Sequence, residues 1–271
     1  MNAFNQAVEA VIQANTTTSH SKPRVCKHCG REVPMMEVEV FGRKRMVQPV
    51  CECEAEEKKR FEEEAEKVQR KKDINKLFSI HNLGERFKES SIDSFMPRPG
   101  AENVYKFAKI YVNEFDSWGE ESLILWGVPG NGKSHLAAAI ANELDSKGKI
   151  VVFISMPELL EKIRSTFNKE SHETEDKIMK ALQDCDLLII DDIGAEKVTE
   201  WVEDIIFRIV DGRYRKKQPI LATSNLRPDL LADKIGERSY DRLTEMSQSI
   251  ENKSTSYRKE KAAKRMQRFM K

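Results

Sequence analysis

Residues 123–140, LILWGVPGNGKSHLAAAI, decide the fold of this 271-residue chain. An apolar run leads into a glycine-rich turn, and a lysine, a serine and an alanine-rich stretch typical of a helix follow. The turn, Gly127–Ser134, matches the pattern G-x-x-x-x-G-K-[ST] at every fixed position, with a strand before it and a helix after it. The sequence therefore predicts a loop that binds the phosphates of a nucleotide.

The residue types of this loop match the chemistry of phosphate binding. Glycines let the backbone curl until its N–H groups point at phosphate oxygens, and the positive amino-terminal end of the following helix adds to the attraction. We expect Lys133 to reach the β- and γ-phosphates and the Ser134 hydroxyl to bind Mg²⁺. His135 is included for its position alone, since no mechanistic role follows from its chemistry. The predicted nucleotide-binding residues are Gly127, Val128, Pro129, Gly130, Asn131, Gly132, Lys133, Ser134 and His135.

Polar side chains follow two later apolar runs. Asp191 and Asp192 end CDLLIIDD, where a magnesium-binding carboxylate is expected, so Asp191 is assigned to the metal. Asp192 is the candidate that orients or deprotonates the attacking water, because a carboxylate near Mg²⁺ stays ionised at neutral pH. Asn225 ends PILATSN and could position the same water, although asparagine after a strand is more often an ordinary turn residue.

Strand and helix patterns alternate from about residue 102 onward. Continuous apolar strands such as IVVFI and LLII are typical of a parallel sheet covered by helices on both faces, so the predicted class is α/β. Strands are predicted at 122–126, 149–154, 186–190 and 219–224. Helices are predicted at 102–117, 133–146, within 157–183, at 199–216 and in segments to about 247.

The composition of the chain indicates where the protein is located more clearly than what it does. Lys and Arg total 46 against 45 for Asp and Glu, so the net charge of +1 identifies no acidic partner. No stretch is apolar enough to cross a bilayer, and the amino terminus lacks the pattern of a secretion signal. Paired cysteines at metal-type spacing argue against a disulfide scaffold. We therefore expect a soluble, cytoplasmic protein.

Four cysteines near the amino terminus have the number and spacing of a structural zinc site. Cys26 and Cys29 form a C-x2-C pair, and Cys51 and Cys53 form a tighter C-x-C pair. Such a site would fold some thirty residues that are too few to build a core, with a hairpin around Gly42 between the pairs. Reduced cysteines without a metal are the alternative, and Cys185 is expected to be a buried apolar residue.

These patterns divide the chain into five parts. They are an arm at 1–21, a zinc-binding module at 22–53, a charged helix and linker at 54–100, a nucleotide-binding domain at 101–262 and a basic tail at 263–271. The tail could contact a phosphate backbone or be a solvated helix end, and composition does not separate the two.

The phosphate loop, LLIIDD, TSN, GERSYDRLTEM and SYRKEKA together resemble the AAA+ ATPases. They are most similar to the DnaC/DnaI-type replicative helicase loaders and the IstB-type transposition ATPases. The resemblance implies a parallel sheet flanked by helices and slow ATP hydrolysis to ADP and phosphate. It also implies that Arg242 is an arginine finger reaching a neighbouring subunit, that Arg238 lies at that interface, and that Arg258 contacts the nucleotide of its own subunit.

The same resemblance suggests a biological role. A helicase loader would bind a replicative DnaB-type helicase through its amino-terminal module, self-associate with ATP and engage single-stranded DNA. In that family the helices within 157–183 face the DNA, although Lys162, Arg164 and Lys169 are sparse enough for an ordinary solvated surface. A transposition helper of the IstB type and an ATP-gated adaptor with little turnover are the alternatives.

Overall fold

A computed structural model of the chain describes residues 23–78, 87–168 and 173–269. The predicted arm at 1–21, Lys169 and the last two residues of the tail lie outside these ranges. The chain divides into two compact units between Arg70 and Lys71, and each is described by itself. In the described ranges, none of the helices has the length and apolar character needed to cross a membrane.

The smaller unit contains two antiparallel strand pairs and most of a long helix. Strands β1 (Arg24–Val25) and β2 (Glu32–Val33) pair next to the first two cysteines. Strands β3 (Met36–Val40) and β4 (Arg43–Val47) form the predicted hairpin. Its turn residues Phe41 and Gly42 both have positive φ angles, of 54° and 71°, the backbone geometry that suits a two-residue hairpin turn.

Helix α1 (Glu52–Leu77) is the charged helix that the sequence predicts. Ion pairs between residues four apart, such as Lys58 with Glu62 and Lys59 with Glu63, support it along its exposed surface. Its last turns belong to the larger unit, in which Ile74 and the following Phe78 are buried in the core.

The larger unit is built around a parallel five-stranded sheet with the order β6-β7-β8-β5-β9. Each strand pairs in parallel with its neighbours, so all the carboxyl ends meet at one edge of the sheet. The strands are β5 (Ser122–Trp126), β6 (Val151–Ser155), β7 (Leu187–Asp191), β8 (Ile220–Ser224) and β9 (Ser247–Glu251).

Two apolar clusters cover the sheet, and each draws buried residues from several strands and helices. This arrangement confirms the predicted α/β class, with a parallel sheet flanked by helices. The helices are α2 (Glu102–Asn113), α3 (Phe115–Trp118), α4 (Lys133–Ser146), α5 (Met156–Ser165), α6 (Glu175–Asp184), α7 (Glu200–Lys216), α8 (Pro228–Ile235), α9 (Glu237–Glu245) and α10 (Tyr257–Phe269).

Strand β9 is missing from the sequence prediction, which has helical segments to about 247 and no strand after 224. Its sequence, SQSIE, contains one apolar residue, because an edge strand is only partly covered. Its pairing comes from β5, through a register that aligns Ser122 with Ser247 and Trp126 with Glu251. The helix predicted at 102–117 is also divided, since α2 ends at Asn113 and α3 begins at Phe115.

The segment before α2, assigned to a linker in the sequence, is packed into the larger unit. Ile92, Phe95 and Ala101 are buried in the cluster that also contains the apolar residues of α4. The backbone N–H of Ile92 donates to the Glu143 carboxylate at 2.8 Å, which ties the segment to α4. The segment is also close to the phosphate loop, since a Cβ atom on Gly132 would lie 3.1 Å from the Phe95 ring.

Candidate functional site

The loop Gly127–Ser134 joins the carboxyl end of β5 to the first turn of α4. Gly127 has a φ of 141°, and a Cβ atom there would lie 2.5 Å from the carbonyl oxygen of Asn252. Only glycine tolerates both the backbone angle and this close approach. The glycine at the start of the motif therefore lets the segment after β9 lie directly against the loop.

The Lys133 side chain is turned into the loop. Its ammonium group lies within hydrogen-bond distance of the carbonyl oxygens of Gly127 (2.8 Å) and Val128 (3.1 Å) and the side-chain oxygens of Asn131 (3.2 Å) and Asn225 (2.9 Å). Lys133 is only 5% exposed, and this burial lowers the pKa of its ammonium group to about 8. The charged form is thus held by neutral oxygens and by the field of the nearby carboxylates, without a direct ion pair in the described chain.

Asp191 lies at the end of β7, beside the end of β8. The Thr223 hydroxyl donates to its carboxylate at 2.6 Å, and the Ser134 hydroxyl is also in hydrogen-bond contact with it. Burial raises the pKa of the Asp191 carboxyl, and these two hydrogen bonds act in the opposite direction. A hydroxyl and a carboxylate at one point are hard oxygen ligands, so Ser134 and Asp191 fit Mg²⁺.

Asp192 and Asn225, which the sequence places on two different strand ends, are in direct contact. The Asn225 side-chain amide donates to the Asp192 carboxylate, while its oxygen faces Lys133. Asp192 adopts a left-handed backbone conformation with a φ of 59°, and its N–H donates to the Thr223 hydroxyl at 2.9 Å. Thr223, which the sequence analysis did not assign, therefore orients both aspartates.

Asn131 connects the phosphate loop to the segment after β9. Its amide donates to the Asn252 carbonyl at 2.8 Å, and the Asn252 amide donates to the Asn131 carbonyl at 3.2 Å. The Ser254 hydroxyl lies 3.3 Å from the same Asn131 carbonyl, and all three residues are buried. Asn252 and Ser254 were missed because their role depends on β9, which has no clear sequence signal.

Arg98 is a further missed residue at this loop. Its guanidinium donates to the carbonyl oxygens of Asn131 (3.3 Å) and Thr255 (2.8 Å) and forms an ion pair with Glu260 at 2.6 Å. Three segments far apart in sequence thus meet at one side chain. The only sequence signal was its place in the MPRPG stretch that precedes the domain.

Arg258 lies beside the phosphate loop of its own chain. A Cβ atom on Gly130 would be 3.3 Å from the Cγ and Cδ atoms of Arg258, and the Tyr257 N–H donates to the Gly130 carbonyl at 2.9 Å. The positive charge of Arg258 also acts to lower the pKa of Lys133. These contacts support the expected role of Arg258 toward a nucleotide held by this loop.

His135 faces away from the phosphate-binding atoms toward the segment before α2. Its Nδ1 lies 3.3 Å from the Ser90 hydroxyl, and its ring packs at 5.9 Å from the ring of Phe95. We therefore interpret His135 as a residue that docks this segment on α4.

Arg238 and Arg242 lie on α9, against α7. Arg242 forms an ion pair with Asp211 at 2.9 Å and is 27% exposed, and its guanidinium lies 5.0 Å from the Phe207 ring centre. Arg238 stacks over the same ring at 4.1 Å and is exposed, with no acidic partner among the described residues. The two candidate fingers therefore differ, since Arg242 is anchored within the chain and Arg238 is available to an external anion.

The sulfur atoms of Cys26, Cys29, Cys51 and Cys53 all lie within 4.8 Å of one another. Three pairs, 26 with 53, 29 with 51 and 51 with 53, are separated by 3.5 Å. A tetrahedral site with Zn–S bonds of about 2.3 Å has sulfur–sulfur edges of about 3.8 Å, so the cluster fits zinc. His28 faces Glu57 at 3.8 Å and is not part of the cluster.

The helices α5 and α6 carry the basic residues considered for DNA contact. Lys162 forms an ion pair with Glu173 at 2.6 Å, and Arg164 lies over the ring of Trp201 at 4.6 Å. These two cations are therefore engaged within the chain. Cys185, just before β7, is fully buried as expected, and burial raises the pKa of its thiol.

The chain matches the family model described as IstB-like ATP binding protein over residues 110–265, more than half of its length. It is similar to the replicative helicase loader DnaC of Escherichia coli strain K12, with 38% identity over 53% of this chain and 58% of that protein. It is also similar to the DnaC of Buchnera aphidicola from Acyrthosiphon pisum, with 33% identity over 63% of this chain and 69% of the relative. The match thus covers 58% of the Escherichia coli relative's length.

Among solved structures, the chain is similar to a crystal structure of the DnaC helicase loader, with a TM-score of 0.57 and 22% identity. The likeness covers 63% of this chain and all of that chain. At this identity the comparison shows a shared fold, in agreement with the predicted parallel sheet flanked by helices.

Proposed function

Because the chain belongs to the IstB-like family of ATP-binding proteins, we propose that it is an ATP-dependent helicase loader of DNA replication. The observation that carries the ATP-dependent part of this proposal lies at one edge of the sheet. There Asn225 connects Lys133 to Asp192 by hydrogen bonds, and the charges of Lys133 and Asp192 act on Asp191. The 33–38% identity to DnaC loaders supports the biological role.

The site residues divide the work of ATP hydrolysis. Lys133 would exchange its loop oxygens for the β- and γ-phosphates, and Arg258 would approach from the other side of the loop. Mg²⁺, held by Ser134 and Asp191, would neutralise charge on the phosphate oxygens. Asp192, oriented by Asn225, would accept hydrogen bonds from the attacking water and remove its proton.

Hydrolysis is tested by steady-state ATPase measurements on wild type and Asp192→Asn. General-base removal is expected to lower turnover by about 10²-fold or more, with ATP binding retained. Asp233→Asn is a matched control, since it makes the same chemical change at an exposed position of α8. If Asp192→Asn hydrolyses ATP as fast as wild type, the catalytic role of Asp192 is rejected. Negligible turnover in wild type itself would favour an ATP-gated adaptor.

We propose that an arginine on α9 completes the site of a neighbouring subunit, with Arg242 the first candidate and Arg238 the second. A planar cation supplied in trans would stabilise the charge that develops on the transferred phosphoryl group. Arg238 is exposed, whereas Arg242 forms an ion pair with Asp211. Each arginine is therefore replaced singly by alanine, to decide which of the two acts in trans.

Subunit mixing tests this trans role. Each Arg→Ala variant is mixed with Lys133→Ala, so that one type of mixed interface contains an intact phosphate loop and an intact arginine. Recovery of ATPase activity, from two inactive proteins, is the expected result for the finger. An arginine that acts only on its own nucleotide gives no recovery.

We propose that the smaller unit binds zinc through its four cysteines and contacts the replicative helicase. The larger unit would bind single-stranded DNA. The test uses full-length protein with a DnaB-type hexameric helicase and a single-stranded DNA circle, with helicase loading scored by unwinding of an annealed strand. Loading that requires ATP and is lost in Cys26→Ser/Cys29→Ser supports the proposal. Capture of a transposase with no effect on helicase loading would support the IstB-type transposition role.

A further inference from the structure

We propose that α10 is a binding surface for the phosphate backbone of a single-stranded nucleic acid, and that its occupancy is coupled to the nucleotide site. The identity of this ligand rests on the proposed function, whereas the charge pattern and the contacts with the phosphate loop do not. The surface is defined by Lys259, Lys261, Lys264 and Arg265.

The first observation is a concentration of unneutralised positive charge. All four side chains of this surface are exposed, and in the described ranges none forms a close ion pair, although the charge of Lys264 acts on Glu260 four residues earlier. Glu260, the only acid in the helix, is engaged by Arg98 and by the Thr255 hydroxyl.

Elsewhere on the larger unit, basic side chains are commonly paired. Ion pairs join Lys71 to Asp145, Lys216 to Asp184 and, through a longer contact, Lys217 to Glu120. The contrast identifies α10 as a local positive patch on a chain with a net charge of only +1.

The spacing of these cations disfavours the helix unless an anion is present. Lys261 lies three residues from Lys264 and four from Arg265, so like charges occupy the same helix face. Such like-charge pairs destabilise an isolated helix. An external polyanion would remove this repulsion, and release of its counterions would contribute to binding.

The second observation is that α10 begins at the phosphate loop. The Tyr257 N–H, in its first residue, donates to the Gly130 carbonyl, and the Arg98 guanidinium connects Glu260 to the Asn131 carbonyl. A change in the loop on nucleotide binding is therefore transmitted directly to the first turn of α10. If a bound nucleotide raises the affinity for the single-stranded nucleic acid by some factor, the bound nucleic acid must raise the affinity for the nucleotide by the same factor.

The experiment measures binding of full-length protein to a fluorescein-labelled oligothymidylate by anisotropy, between 50 and 200 mM salt, with and without Mg²⁺ and a non-hydrolysable ATP analogue. Lys261→Gln/Lys264→Gln is the test variant. Lys106→Gln/Lys197→Gln is the control, since it removes the same charge from exposed positions elsewhere.

The test variant is expected to bind about fourfold more weakly for each lost contact near 0.15 M salt, and the salt slope should fall by about 0.7 per contact. The control should bind like wild type. Equal binding by test variant and wild type would refute the role of α10 while leaving the proposed function intact, and no binding by wild type in any condition would remove both. An equal loss in both variants would show non-specific attraction only.

Two further arms decide the ligand class and the coupling. An oligoglutamate peptide is tested in place of the oligothymidylate. If the peptide binds, loses affinity in Lys261→Gln/Lys264→Gln, and the oligothymidylate does not bind, the surface recognises acidic protein and the inference is wrong. Wild type is expected to bind the strand at least about fivefold more tightly with the analogue. Arg98→Gln keeps every cation of α10 and should reduce that factor below about twofold, so an undiminished factor would reject the coupling.

Discussion

The depressed pKa of Lys133 predicts that ATP affinity falls as pH rises across neutrality. Burial lowers this pKa to about 8 in the protein without nucleotide, whereas a triphosphate beside the ammonium group would favour its charged form. Binding therefore takes up a proton wherever the free lysine is partly neutral. The sign follows directly, since the nucleotide-bound state holds more protons than the free state and affinity must decrease with increasing pH.

The size of the effect follows from the fraction of protonated lysine. With a pKa of about 8, roughly nine-tenths of Lys133 is charged at pH 7 and roughly one-tenth at pH 9, so affinity should fall about tenfold, or about 1.4 kcal/mol. A lysine with the ordinary pKa of about 10.4 would remain almost fully charged over this range, and affinity would barely change.

Isothermal titration calorimetry with Mg²⁺ and a non-hydrolysable ATP analogue measures both the affinity and the proton uptake, using two buffers of different ionisation enthalpy. Far-ultraviolet circular dichroism at pH 9 confirms that the fold is intact. Lys133→Met is the control, and its weaker binding should lose the alkaline decrease. The reasoning would be refuted if the affinity for the analogue changed by less than twofold from pH 7 to 9. It would also be refuted if the alkaline decrease in affinity persisted in Lys133→Met.

Three other perturbations have defined expectations. Asn252→Ala removes the amide that donates to the Asn131 carbonyl. The loss of a buried hydrogen bond of about 1–2 kcal/mol should weaken ATP binding about 5–30-fold, as measured by calorimetry. An unchanged dissociation constant would show that this contact does not shape the loop. Arg213→Met removes the guanidinium that donates to three buried carbonyl oxygens and should lower the unfolding free energy of the larger unit by about 3–5 kcal/mol in urea, and a loss below about 1 kcal/mol would contradict this account. Metal analysis should find about one zinc per chain and less than about half an equivalent in Cys29→Ser, whereas a wild-type value below half would reject the zinc site.

The phosphate loop and the aspartate pair could be read from the sequence because each is a short motif next to a strand with a strong apolar signal. LILWG and LLIIDD contain both the strand and the functional residues, so the strand pattern also locates the side chains. The clustering of the four cysteines could be predicted for a similar reason, since their number and spacing are typical of a tetrahedral zinc site.

The hydrogen-bond partners of these residues could not be predicted from the sequence in the same way. Asn131 and Asn252 are 121 positions apart, and their contact exists because β9 pairs with β5 in one register. Strand β9 has a polar sequence, and Arg98 lies in a segment whose prolines and glycine predict only a turn. The different surroundings of Arg238 and Arg242 likewise depend on how α9 packs against α7.

The sequence by itself determined the α/β architecture and predicted the class of ligand and the candidate residues for phosphate and metal, because local motifs and hydrophobic periodicity encode them. Only the tertiary structure decided which groups hold Lys133 in the loop, how Asn225 meets Asp192, and how Arg98 connects the loop to α10. The physical reason is that these are hydrogen bonds between segments far apart in sequence. Their geometry is set by strand register and helix packing, to which the whole core contributes.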